Sequence, residues 1–347
     1  MRNRNYGIDL LRIISMIQIL MLHTLGHGGI LSKLSPDATL YKFAWFFEIA
    51  CYGAVNCFAL ISGYVGVKSN FKYKKIIPLW LQVSLYSGLI TTAFYYLKPE
   101  TVTKTQTMFS FLPVLNDTYW YFTAYFIVLL LMPILNNGIN ALTKKQAAAT
   151  VIATLGAASI STIVLKIQSL SFLINKDIFA LKSGYTPLWL IILYIVGGCI
   201  SKHQLLKSIP SFLIILINLL SLILTIAFKL YSANNQAPID TTAIINYCSP
   251  TVILGALTSL EIFSRLKFKK PINVIIGYLS SVSFAAYLMQ DHPLVRKNIM
   301  SGRFVNLALL DSIHFVLQLF AIVLITYLIA IAVDSLRLLL FKGVKLK

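Results

Sequence analysis

Ten stretches of the chain are each apolar for about the length needed to cross a bilayer, and this constrains the fold more than any motif. A hydrocarbon core of ~30 Å takes about 20 mostly apolar residues per helix. The runs fall at roughly 8–26, 43–66, 76–97, 119–135, 147–170, 187–200, 211–230, 243–263, 273–290 and 313–336. The sixth is short and contains Gly197 and Gly198, so it is expected to start earlier or to be partly re-entrant. Composition agrees: the 347 residues are 58% apolar and 12% charged, about half the usual charge of a soluble domain. Too few solvated side chains remain to coat a soluble enzyme, and the apolar content excludes a disordered binding segment. A net charge of +19 does not indicate nucleic acid, because that partner requires a soluble basic face. With no repeat, low-complexity tract or long linker, residues 1–347 read as one integral membrane domain. The expected fold is all-α, a polytopic membrane helix bundle of about ten transmembrane helices.

Loop charge orients the bundle. Arg2 and Arg4 precede the first run without a small-x-small cleavage site, and Arg12 interrupts it, so this run is expected to remain as a spanning helix. The N-terminal side of the ten runs holds eighteen cations: Arg2, Arg4, Lys68, Lys72, Lys74, Lys75, Lys144, Lys145, Lys202, Lys207, Arg265, Lys267, Lys269, Lys270, Arg337, Lys342, Lys345 and Lys347. The opposite side holds eleven, among them Lys33, Lys42, Arg296, Lys297 and Arg303, offset by acids such as Asp37, Glu100, Asp117, Asp177, Asp240, Asp291 and Asp311. By the positive-inside rule both termini are cytoplasmic, in a multi-pass protein of the cell membrane. Cys51, Cys57, Cys199 and Cys248 lie in or beside apolar runs without a Cys-x-x-Cys pair, and read as small buried residues.

The first run is rich in groups that hydrocarbon disfavours. Asp9, Arg12, Ser15, Gln18 and His23 all lie in it, and an ionisable side chain inside a span costs ~2.5–3.5 kcal/mol on insertion scales. Arg12 and His23 share a helix face about 16 Å apart along the axis, and Asp9 lies one turn before Arg12, within pairing reach. Two readings stand: an interfacial Asp–Arg pair with a histidine hydrogen-bonded inside the bundle, or a buried neutral imidazole serving as general base.

The Arg12-to-His23 spacing in the first of ten runs resembles the acyltransferase-3 family, multi-pass membrane O-acyltransferases of surface carbohydrates. GAVNCFALISGYVGV (53–67) is similar to the family's second span, KYKKIIPLW (72–80) to the basic segment before its third, and SSVSFAAYLMQDHPLVR (280–296) to a late span. Lys72 and Lys75 stand where many members have arginines, keeping the charge without the bidentate fork. WYFTAYF (120–126) lacks the glutamate that many members carry after a tryptophan. Gln290 replaces a late-span histidine; Asp291 and His292, which follow, either take over its role or cap a loop.

The resemblance implies transfer of an acyl group, acetyl above all, from cytoplasmic acyl-CoA to a hydroxyl of a cell-surface or exported polysaccharide or lipid-linked glycan. His23 would be the catalytic base with Arg12 beside it in the catalytic set, while Lys72, Lys74 and Lys75 meet the donor phosphates. Asp9, Glu48, Trp120, Asp291 and His292 are accessory candidates. No permanently bound cofactor and no metal is expected; the partners are acyl-CoA, a glycan acceptor, the bilayer and polysaccharide-synthesis machinery. The rival reading is an exporter of polysaccharide or solute, with Arg12 and His23 along its pathway. Glu48 either faces a cavity or pairs with Lys42. Trp45, Tyr119, Trp120, Tyr121 and Trp189 fit an interfacial aromatic belt, with sugar stacking on one of them as the alternative. His27, His203 and His314 read as solvated.

Overall fold

The computed structural model describes residues 4–69, 71–167, 176–234 and 243–341. Arg2, Asp240, Lys342, Lys345 and Lys347, which entered the charge count, lie outside them. Twelve principal helices run α1 (Tyr6–Leu25), α2 (Thr39–Tyr52), α3 (Ala54–Gly66), α4 (Ile76–Leu97), α5 (Trp120–Ala141) and α6 (Lys144–Val164). They continue with α7 (Pro187–His203), α8 (Ser211–Asn234), α9 (Pro250–Ser264), α10 (Lys270–Val282), α11 (Phe284–Gln290) and α12 (Ser312–Leu340). Among the described residues, eight helical stretches are long and apolar enough to cross a membrane, with α2–α3 and α10–α11 each counted as one. The helices Pro187–His203 and Pro250–Ser264 are apolar but shorter. Together these are the ten expected stretches, and no β-strand occurs among the described residues.

Boundaries differ where local chemistry overrides the apolar run. The second run is broken at Gly53 and the ninth at Ser283. The eighth is helical only from Pro250, a proline at the first helical position, and residues 243–249 form turns. The fifth ends at Val164; positions 168–170 of that expected run lie outside the described residues. The sixth is a continuous helix that starts no earlier than Pro187, where Thr186 caps it.

Contacts divide the chain into two compact units. The first comprises the described parts of Met1–Ala44, Pro78–Tyr119 and Lys267–Lys347. Here α1 packs against α10, α11 and α12. Buried Asp334 of α12 holds Arg337 at both carboxylate oxygens and accepts from the Tyr86 hydroxyl (2.9 Å) and the Gln82 amide (3.2 Å) of α4. A buried carboxylate needs such a full set of donors to be tolerated.

The second unit comprises the described parts of Trp45–Ile77 and Trp120–Leu266. Its closest pair is α3 with α7. A Cβ on Gly63 would lie 1.9 Å from the Tyr194 carbonyl oxygen, and one on Gly197 would lie 2.1 Å from that of Leu60. Gly63 of the second run and Gly197 of the sixth thus let two backbones touch, a common device where helices associate in lipid. Trp189 is enclosed by protein rather than exposed as a belt residue would be: it is fully buried and donates its indole N–H to Asn56 (3.0 Å), which in turn donates to the Tyr247 carbonyl (2.8 Å). Tyr119, in the first unit, is likewise fully buried and donates to the Leu288 carbonyl. The four cysteines are buried and form no disulfide among the described residues.

Candidate functional site

Asn5 caps α1 by accepting from the N–H groups of Gly7 and Ile8, which fixes where the helix starts and so which face carries its polar residues. Near that start, Arg12 Nη1 donates to Asp9 Oδ1 and to Ser280 Oγ, both at 2.9 Å, and Arg4 pairs with the other oxygen of Asp9. The i,i+3 pair read from the sequence is formed, and Ser280 extends it to α10. Arg12 is thus a bonded clamp between helices, about three turns from His23.

His23 sits in the last turn of α1, with an 18% exposed side chain. Its Nδ1 lies 3.1 Å from Oε1 of Gln290 at the end of α11. With the amide oxygen facing it, Nδ1 carries the proton and Nε2 keeps its lone pair. Nε2 is 3.9 Å from Oδ1 of Asp291. That carboxylate is buried and also meets Arg296 Nη1 at 3.2 Å. Burial pushes the Asp291 carboxyl up to about 6, with Arg296 opposing the rise, so the group is mostly ionised at neutral pH.

His292 faces elsewhere. Its Nδ1 accepts from the Leu294 N–H (3.2 Å), which leaves the proton on Nε2, 3.3 Å from Thr91 Oγ1. It is 2% exposed and lies edge-on to Tyr119; burial lowers its pKa to about 4. Of the two residues after Gln290, Asp291 therefore meets His23, while His292 caps a turn.

His27, one turn on from His23, brings its ring to 5.2 Å from the His23 ring. One ligand atom each from His23, His27 and Asp291 lie within 4.8 Å of one another, a spacing open to a metal ion. The local charge opposes it, because Arg296 already occupies Asp291 and Lys297 adds a second cation.

The other expected residues belong to the second unit. Lys72, Lys74 and Lys75 are exposed on the turn leading into α4, within the second unit. Glu48 is buried on α2, makes no ion pair among the described residues, and its Oε2 has no hydrogen-bond partner there. Trp120 opens α5 against Tyr185 (centroids 4.7 Å) and Tyr247 (6.3 Å, stacked). His27 is exposed, as read from the sequence, but its place beside His23 was not foreseen; Arg296, Tyr185 and Tyr247 were not singled out for the site. The signal for Arg296 was present, since a cation on the acid-rich side runs against the general charge bias.

A family model described as an acyltransferase domain matches residues 5–334. The chain belongs to the acyltransferase-3 family. No curated protein and no solved structure matches it. In this multi-pass membrane acyltransferase, the one imidazole on the α1 face has one nitrogen held by an amide oxygen and the other bare beside a carboxylate. That arrangement can take a proton from a hydroxyl and stabilise the imidazolium that results.

Proposed function

We propose that this acyltransferase moves an acetyl group from acetyl-CoA to a hydroxyl of a cell-surface or exported glycan, with His23 as the general base. The observation that carries the reading is the orientation of His23: Nδ1 is tied to Gln290 and Nε2 is left free 3.9 Å from Asp291. The acceptor hydroxyl gives its proton to Nε2 as its oxygen attacks the thioester carbonyl carbon. The tetrahedral intermediate then collapses, the C–S bond breaks, and the coenzyme A thiolate leaves, taking the proton from the His23 imidazolium and restoring the base. Asp291 stabilises the transient imidazolium. Arg12 acts as a positioning residue, since it pairs with Asp9 within α1 and its bond to Ser280 fixes α1 against α10.

Both termini are assigned to the cytoplasm by the distribution of lysine and arginine. The donor phosphates then meet exposed Lys72, Lys74 and Lys75, and the acceptor reaches His23 from the opposite face. Incubation of purified protein with radiolabelled acetyl-CoA and extracted surface polysaccharide tests the reading. Label should pass to the polysaccharide, and His23→Gln should lose ~10²–10⁴-fold in turnover with donor binding intact. A well-folded His23→Gln protein working at the native rate would end the assignment.

A further inference from the structure

The cavity beside His27 speaks to the charge of the molecule that brings the hydroxyl, an inference that rests on His23 as base and extends it. A hollow of about 660 Å³ opens there, with His27, Ser32, Arg296, Lys297 and Ser301 in its lining. The main chain fixes its walls. Gly302 N–H donates to the His27 carbonyl (3.2 Å) and Phe304 N–H to that of Gly28 (3.0 Å), tying the segment after α1 to the one before α12. Gly29 (φ +83°) and Gly302 (φ +66°) sit in the left-handed region, and a Cβ on Gly29 would approach Val305 Cγ1 to 2.8 Å. Another wall is a single π-turn, Arg296–Met300, closed by Ser301 N–H on the Arg296 carbonyl. Widened turns of this kind recur at functional sites.

Among the described residues the lining holds two cations, Arg296 and Lys297, and no carboxylate. Arg296 uses Nη1 on Asp291, and its other guanidinium nitrogens make no hydrogen bond among the described residues. Lys297 is exposed and forms no ion pair among them. On the orientation proposed above, both cations lie on the face where loop topology disfavours positive charge, so topology does not account for them. A guanidinium fork with free donors beside an ammonium suits a planar or tetrahedral oxyanion.

We propose that this cavity binds a phosphate or carboxylate group carried by the acceptor, next to the hydroxyl presented to His23. Binding to purified protein in phosphatidylcholine nanodiscs tests it, with glucose 1-phosphate, glucuronate and glucose as probes at fixed ionic strength. The two anionic probes should bind at least about tenfold more tightly than glucose, and Lys297→Gln should weaken them by about tenfold, the loss of one charge-assisted hydrogen bond. Equal binding of all three, no binding, or indifference to Lys297→Gln would overturn the proposal. Loss of binding in nanodiscs containing phosphatidylglycerol would assign the cavity to a lipid headgroup and overturn it equally. His23→Gln should bind the probes normally while failing to transfer acetyl. Retained transfer in that variant would strike down the role of His23 and leave the anion preference standing, so the two failures are distinguishable.

Discussion

Nδ1 of His23 lies 3.1 Å from Oε1 of Gln290, an approach between residues 267 apart in sequence. The contact places an amide where a fixed acceptor selects one imidazole tautomer, a role often filled by a carboxylate or carbonyl. Replacing Gln290 by Leu removes that acceptor and leaves a polar ring nitrogen without its partner. We expect kcat to fall by about tenfold or more with the KM for acetyl-CoA little changed, as for a group that orients a base. Steady-state kinetics against both substrates check this, and a rise in KM alone would assign Gln290 to donor binding.

Arg12 gives the opposite expectation. Its bond to Ser280 fixes α1 to α10 and its bond to Asp9 lies within α1; Asp9 is 7% exposed at its side chain. Arg12→Gln leaves that carboxylate with Arg4 as its one paired cation and the Ser280 hydroxyl (3.3 Å) among the described residues. Half-broken buried pairs cost ~3–5 kcal/mol; with Arg12 29% exposed and Arg4 still in place, a loss of about 1–3 kcal/mol is expected. The melting temperature in detergent should therefore drop, while kcat of the folded fraction changes far less than in His23→Gln. A kcat loss equal to that of His23→Gln, without destabilisation, would place Arg12 in the chemistry.

What was legible in the sequence followed from local physics. Spans are set by run length against bilayer thickness, and Asp9–Arg12 pairing is set by one helical turn, so both are readable within a short window. Gln290 stood out as a departure in a late span, but its partner could not be named because that contact joins opposite ends of the chain. Trp189 misled for a related reason. An aromatic near the end of a run fits an interfacial belt, and only the distant Asn56 makes burial of its indole N–H tolerable. The breaks at Gly53 and Ser283 were hidden because an apolar run reports hydrophobicity, not backbone continuity.

The glycine contacts of the second unit make a sharp stability test. Gly63→Ala would drive a methyl to within 1.9 Å of the Tyr194 carbonyl oxygen, and that atom belongs to backbone. Overpacking in cores costs ~1–3 kcal/mol when side chains can give way; here α3 and α7 must part, so a loss of about 3 kcal/mol or more is expected. Gly156→Ala, with nothing within 4 Å of the added methyl, serves as the control and should be neutral or slightly stabilising as a helix substitution. Thermal unfolding followed by size-exclusion chromatography reads both. A Gly63→Ala protein as stable as its control would refute the close approach of these helices.

His292 predicts a pH dependence whose sign is fixed by its burial. Its pKa falls from 6.5 to about 4 in the folded protein, because burial disfavours the charged ring. Between those values the unfolded chain binds more protons than the folded one, so this group's contribution is full above about pH 6.5 and is lost as pH falls toward 4. From pH 6.5 to 5 the loss is about 2 kcal/mol at 1.36 kcal/mol per unit. Asp291, whose carboxyl is raised to about 6, has the opposite slope, so the total curve does not isolate either residue. The difference between native protein and His292→Asn does. The variant loses the Leu294 cap or the Thr91 contact and should be less stable at pH 7.5, yet the gap should narrow by about 2 kcal/mol on acidification to pH 5. Unfolding curves of both proteins at several pH values measure that gap; one that stays constant would mean that His292 titrates in the folded state as it does in the unfolded chain, and one that widens that it is protonated there.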